Sequence, residues 1–193
     1  MDKAKEMRKL RSKIRKVQDV RRFEHTLGVE FTAASLAMSH GVSVEDARLA
    51  GLLHDCAKCF SDEKMLSVCE KKKIPITEIE RRNPFLLHAK VGAFLAKEKY
   101  GVENRDVLNA IFYHTTGREG MSMLEKIIFV ADYIEPGRKQ APNLQEIRKL
   151  AFRDLDKTML WILEDTLKYL KRNGKETDPM TEVTWRYYKK ETE

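Results

Sequence analysis

His54 and Asp55 are adjacent, at the end of the apolar run Ala50-Gly51-Leu52-Leu53, and are followed by Cys56-Ala57-Lys58. Carrying an imidazole and a carboxylate out of an apolar segment costs roughly several kcal/mol unless a partner satisfies them. A divalent cation is the simplest such partner, because imidazole nitrogen and carboxylate oxygen both suit iron, zinc or manganese. His25, His88 and His114 also have small or apolar neighbours. Any one of them alone reads as a satisfied core histidine; together with a His-Asp pair they read as a ligand set. His40, just before Gly41, reads as a helix cap or a surface residue. Asp132 lies deep in the apolar run Ile127-Ile128-Phe129-Val130-Ala131-Asp132-Tyr133-Ile134. A carboxylate there needs a cation, a core arginine or several hydrogen-bond donors.

Helical periodicity must position these groups, since it recurs along almost the whole chain and strand-like alternation is absent. Met7, Leu10, Ile14 and Val17 form an apolar stripe on a first helix. A second helix is expected from about Arg22 to Ser39, ending at Gly41 and carrying His25 near its start. Ser43 caps a third helix, with His54 and Asp55 near its far end. Neighbouring residues diverge by about 100° around a helix, so one ion would have to sit between the two side chains. Ser61 opens a fourth helix, broken between Lys71 and Pro75, and Thr77 to Glu80 reads as a capping box for a short fifth. Pro84 begins the helix that carries His88 and ends at Tyr100-Gly101. Further helices are expected from Arg105 to His114 and from Met123 to Tyr133, the latter halted by Pro136-Gly137. A long amphipathic region runs from Asn143 to Arg172, kinked or split near Arg153 to Asp156, and an irregular tail follows from Asn173 to Glu193. The expected fold class is all-α, a bundle of about eight to ten helices. The expected divisions are a basic N-terminal helix over 1–20, a helical domain over 21–172, and a tail over 173–193 packed on or near it.

The 193 residues, 42% apolar and 35% charged, are enough for one domain with a real core. No apolar run reaches the roughly 18 residues of a membrane span, and the charged start lacks a signal-peptide centre, so no membrane partner and a cytoplasmic location are expected. The net charge of +7 is carried entirely by residues 1–22, where ten Lys/Arg face three Asp/Glu. That segment is either the solvated face of a helix or a patch for polyphosphate or RNA. The balanced remainder does not indicate a nucleic-acid surface. Cys56, Cys59 and Cys69 read as reduced thiols, with Cys56-x-x-Cys59 too weak for a zinc site without a second pair. Neither a Walker-type loop nor a dinucleotide-binding glycine fingerprint is present.

The order His25, His54-Asp55, Asp132 resembles the H…HD…D pattern of the HD-domain metal-dependent phosphohydrolases. The stretches Ala50-Gly51-Leu52-Leu53-His54-Asp55-x-Ala57-Lys58, His88-Ala89-x-x-Gly92-Ala93, Tyr113-His114-Thr115-Thr116-Gly117 and Ala131-Asp132-Tyr133-Ile134-Glu135-Pro136-x-Arg138 are closer still to the YqeK family. The resemblance spans about Arg22 to Asp156. The family's C-terminal Ala-Arg-Asn is not matched by Thr184-Trp185-Arg186-Tyr187.

The resemblance implies an HD-domain helical bundle and symmetrical hydrolysis of diadenosine tetraphosphate to two ADP, with attack by a metal-activated water. It implies His25, His54, Asp55 and Asp132 as metal ligands, with iron preferred and manganese or zinc as alternatives, and one or two ions. His88 and His114 would either hold a second ion beside Asp55 or face the phosphates, and either imidazole could give a proton to the departing ADP. Lys58, one turn after His54 if the helix continues, would reach a phosphate or be an ordinary helix-end lysine. Arg138 would grip phosphate oxygens or form a loop salt bridge, and Thr115 would offer its hydroxyl to an anion or simply end a helix. His25 and Asp132 also line the expected phosphate site. The competing readings are an HD-type hydrolase of nucleoside monophosphates, deoxynucleoside triphosphates, guanosine tetraphosphate or cyclic nucleotides, and a silent site that senses nucleotide or metal. A homodimer is left open.

Overall fold

The computed structural model describes residues 3–139 and 141–192; the ends of the first and last expected segments, at Met1, Asp2 and Glu193, lie outside the described residues. The described residues form eleven α-helices and one 3-10 turn, with no strand. Helix α1 (Lys3–Arg15) leads into α2 (Val20–His40), the longest element. Asp19 caps α2 by accepting from the Arg22 backbone amide, which starts it two residues earlier than the apolar pattern indicates. Helix α3 (Val44–Leu53) follows, capped by Ser43. Then come α4 (Asp62–Lys72), a short α5 (Glu78–Arg82) with both bonds of its Thr77–Glu80 capping box formed, and a 3-10 turn over Pro84–Leu87. Helices α6 (His88–Glu98), α7 (Arg105–Phe112) and α8 (Met123–Ile134) complete the middle of the chain. The long C-terminal region splits, as its sequence indicates, into α9 (Leu144–Ala151) and α10 (Leu155–Arg172). No helix among the described residues is long and apolar enough to cross a membrane.

Helix α2 packs on α3 and α8, and α7 joins α3 and α8 from the other side. Val29, Ala33, Leu36 and Ala37 of α2 meet Ala47 and Ala50 of α3, Ile127, Ile128 and Val130 of α8, and Met159, Ile162 and Leu163 of α10 in one buried core. The small residues let α2 and α3 approach closely. At Gly51 a Cβ would lie 2.9 Å from the Glu30 Cα and 3.2 Å from the Val29 carbonyl oxygen. A second cluster, Ala57, Met65, Cys69, Leu87 and Val91, fixes the region before α6.

Helix α1 packs on α2 and α3. Ile14 is fully buried, and Arg11 makes a two-point contact, at 2.7 and 2.6 Å, with Glu30, which Arg48 of α3 also reaches at 3.0 Å. Such a buried carboxylate is tolerable only because both arginines satisfy it. The tail departs from the expected irregular segment. Residues Pro179–Thr192 form α11, which packs on α10 and buries Tyr188 and Thr184. Pro179 stands at its first position, where a proline is compatible with a helix start, and residues 184 and 188, one turn apart, give it a core-facing stripe.

Candidate metal centre

Five segments deliver the six side chains of the site. His25 lies in the first half of α2, and Asp132 in the last turn of α8. His88 is the first residue of α6, directly after the 3-10 turn. His114 follows the end of α7. His54 and Asp55 stand just beyond α3, which ends at Leu53, earlier than expected. Short turns continue the chain there, with Cys56 N–H donating to the Leu53 carbonyl and Lys58 N–H to the Asp55 carbonyl. Lys58 and His54 therefore do not share a helix face. The buried Gln18 also donates to the Asp55 carbonyl (3.3 Å) and accepts from the Thr26 hydroxyl (3.0 Å), which straps this turn to the start of α2.

The rings are oriented one by one. His54 Nδ1 is 2.7 Å from the Gly51 carbonyl, His88 Nδ1 is 2.6 Å from that of Phe85, and His114 Nδ1 is 2.7 Å from that of Ile111. A carbonyl accepts only from an N–H, so all three rings carry the proton on Nδ1 and leave Nε2 free, as metal-binding histidines do. His25 instead places Nδ1 3.0 Å from Glu135 Oε1. The Nε2 atom of His54 is buried and makes no hydrogen bond. Buried polar atoms without partners are uncommon and point to something that the side chains are shaped to receive.

These free nitrogens converge on two carboxylates. His25 Nε2 lies 3.0 Å from Asp132 Oδ1 and 4.0 Å from Asp55 Oδ2. His54 Nε2 lies 3.6 Å from Asp55 Oδ2 and 3.9 Å from Asp132 Oδ1. The other oxygen of the same aspartate, Asp55 Oδ1, is 3.4 Å from His88 Nε2 and 3.7 Å from His114 Nε2. Donor atoms of His25, His54 and Asp55, of His54, His114 and Asp132, and of Asp55, His88 and His114 each fall within 4.8 Å of one another. A mixed imidazole and carboxylate set of this kind can hold a divalent ion of the iron, manganese or zinc type. Burial holds the His54 imidazole down at about 4 and that of His88 at about 3, so both are neutral and have a lone pair to give at neutral pH. Burial also works against a charge on His25, but the Asp132 and Glu135 carboxylates outweigh it and raise its pKa. Burial alone would raise Asp55; the charge that His54, His114 and His88 take up in acid holds it well below the usual carboxylate range.

Cationic side chains ring the mouth. Arg22 Nη1 meets Asp55 Oδ2 at 2.6 Å, and Arg138 Nη2 meets Asp132 Oδ1 at 2.7 Å. Asp132 is thus met by an exposed arginine, not by the core arginine offered as one explanation of it. Lys58 Nζ is 3.2 Å from His88 Nδ1, and burial lowers its pKa despite the nearby Asp55 carboxylate. Arg22, His25, Gly28 and Arg138 line a cleft of about 610 Å³ that opens on this side. Thr115 is placed elsewhere: with Thr116, Tyr113 and Phe112 it lines a separate groove of about 670 Å³ below α5 and the start of α11. His40 is half-buried and holds the Ala151 carbonyl at 2.7 Å, so it ties α2 to α9.

Sequence reasoning passed over three residues. Arg22 precedes His25 by one turn, a spacing that puts both on one helix face and could have flagged it. Glu135 stands inside a quoted motif without a role. Gln18 gives no local signal at all.

Residues 22–137 match the HD domain family. A Bacillus subtilis (strain 168) protein named "Bis(5'-nucleosyl)-tetraphosphatase, symmetrical" is 40% identical over 166 residues, which are 86% of this chain and 88% of the relative. A Staphylococcus aureus protein of the same name is 38% identical over 78% of this chain and 77% of its own length. A Clostridium acetobutylicum crystal structure, described as a predicted HD superfamily hydrolase involved in NAD metabolism, superposes with a TM-score of 0.92 at 40% identity, over 95% of this chain and 96% of that one.

Proposed function

The chain belongs to the HD domain family, and from that membership and its similarity to symmetrical bis(5'-nucleosyl)-tetraphosphatases we propose that it is a metal-dependent hydrolase splitting diadenosine tetraphosphate into two ADP. The observation that carries this reading is the meeting of four imidazoles around Asp55, with Asp132 closing one side. His25, His54, Asp55 and Asp132 would hold one ion. The two-sided contact of Asp55 supports a second ion held by His88 and His114, rather than direct phosphate contacts from those rings. Iron is the preferred metal, in keeping with the mixed donors, with manganese next. A bound divalent ion supplies a water of lowered pKa and polarises a phosphoryl oxygen.

The chain's own groups supply the rest. Arg22 and Arg138 flank the cleft, and their guanidinium groups suit the oxygens of a polyphosphate. Lys58 stands beside His88, its Nζ 3.2 Å from the ring Nδ1. His88, held at about 3, is a poor proton source at neutral pH, so Lys58 is the better candidate to protonate the departing ADP. The free thiols Cys56, Cys59 and Cys69 are in keeping with a reducing cytoplasm.

The test is product analysis. Manganese-loaded or iron-loaded protein given diadenosine tetraphosphate should yield ADP as the only nucleotide product, and chelation or Asp55→Ala should abolish it. ATP plus AMP would reject symmetrical cleavage. Metal retention with turnover of guanosine tetraphosphate or a deoxynucleoside triphosphate instead would move the substrate to the runner-up class.

A further inference from the structure

Glu135 is 3% exposed, belongs to none of the clusters that could hold an ion, and yet commits both carboxylate oxygens. Oε1 faces His25 Nδ1 at 3.0 Å, and Oε2 accepts from the Gly137 backbone N–H at 2.5 Å. A buried carboxylate is expensive unless hydrogen-bonded, and this one is met from both sides. The chain also makes room for it. A Cβ at Gly28 would stand 2.5 Å from Glu135 Oε2, and one at Gly137 would stand 3.0 Å from both oxygens. Arg148 braces the same turn from outside, donating to the carbonyls of Ile134 (2.8 Å), Glu135 (2.9 Å) and Arg138 (3.1 Å).

The reason for this arrangement lies in where His25 sits. His54, His88 and His114 stand at or just past the end of a helix or turn, where main-chain carbonyls are left without helical partners, and each takes the carbonyl three residues back. His25 is inside α2, whose carbonyls are engaged in the helix. It has no main-chain acceptor of its own and needs one brought from another element. We propose that Glu135 is the positioning residue of His25: it takes the Nδ1–H, fixes the ring, and aims Nε2 at the Asp132 and Asp55 oxygens, while Gly28, one turn along α2, is the seat that admits it. The inference rests on the reading that this site holds a divalent ion.

The full chain, stripped with a chelator and titrated with manganese(II), tests it, with the free ion followed by electron paramagnetic resonance and the fold followed by circular dichroism. Glu135→Ala should weaken manganese binding by about 10- to 100-fold, the usual effect of removing a group that orients a metal ligand. Glu135→Gln keeps one oxygen to accept the Nδ1–H but sets its amide NH2 against the Gly137 N–H, so it should recover part of that loss. Gly28→Ala, a helix-compatible change, should weaken binding as well, because it displaces the carboxylate without removing it. Manganese binding by Glu135→Ala equal to that of the wild type would overturn the inference. So would an equal loss in Glu135→Ala and Glu135→Gln, which would put the effect in charge or loop shape rather than in ring orientation. A wild-type chain that binds no manganese or iron would instead reject the metal reading itself, and the inference with it.

Discussion

At the scale of single residues, the site separates groups that would hold an ion from groups that face the cleft. Arg138 is the informative case, because it touches Asp132 yet is 45% exposed at the side chain. If its work is to bind phosphate, Arg138→Ala should raise KM for diadenosine tetraphosphate by roughly 10-fold or more, in line with a charge-assisted contact of about 1.5–3 kcal/mol. Metal content after dialysis should be unchanged. Loss of metal in that variant would assign Arg138 to holding Asp132 instead. The imidazoles and the two aspartates were legible in the sequence because their residue types are costly in apolar surroundings. Glu135 was not, since a glutamate before Pro-Gly reads as a loop residue until its contact with His25, 110 positions away, is seen. Gln18 was equally hidden, because its meaning depends on reaching the Asp55 carbonyl across 37 positions.

At the scale of elements, the spacing between α2 and α3 sets how far His25 stands from His54, and Gly51 sets that spacing. Alanine normally stabilises a helix interior by about 1 kcal/mol relative to glycine. Here the added Cβ would press on backbone at 2.9 Å, where no side chain can rotate away. Gly51→Ala should therefore destabilise the fold by about 1–3 kcal/mol in urea unfolding, the range for overpacked cores. A more stable variant would mean that α2 and α3 separate freely. Most helices could be read from apolar spacing and capping residues, as Ser43, Ser61 and Thr77 illustrate. The end of α3 could not, because nothing in Leu53-His54-Asp55 breaks a helix. It is the pull of the Gly51 carbonyl on the ring and of Gln18 on the Asp55 carbonyl that accompanies the turn there. The tail was misread because Pro179 and the scattered aromatics look irregular until α10 offers them a surface.

For the whole molecule, removing the ion should leave stability that depends on pH. In the folded chain burial holds His54 at about 4 and His88 at about 3, below the ordinary imidazole value of about 6.5. Between about 6.5 and 4 the unfolded chain then binds more protons than the folded one, so stability falls as the pH falls. His25, whose pKa is raised, acts oppositely, and its contribution fades as the pH rises above 6.5. Asp55, held low, changes its protonation only in more acid solution. Chelated protein should thus unfold at lower urea concentration at pH 5 than at pH 7, by a difference on the order of a few kcal/mol. An unchanged or higher midpoint at pH 5 would show that these rings are not held neutral.

Asp55 turns one oxygen toward His25 and His54 and the other toward His88 and His114. If each side holds an ion, the two berths share a single pivot and are unequal under mutation. Losing any one imidazole would thin one berth and spare its neighbour, whereas losing this aspartate would empty both. Descendants of such a chain could drift from two cations to one by many routes, but the shortest path to none runs through position 55.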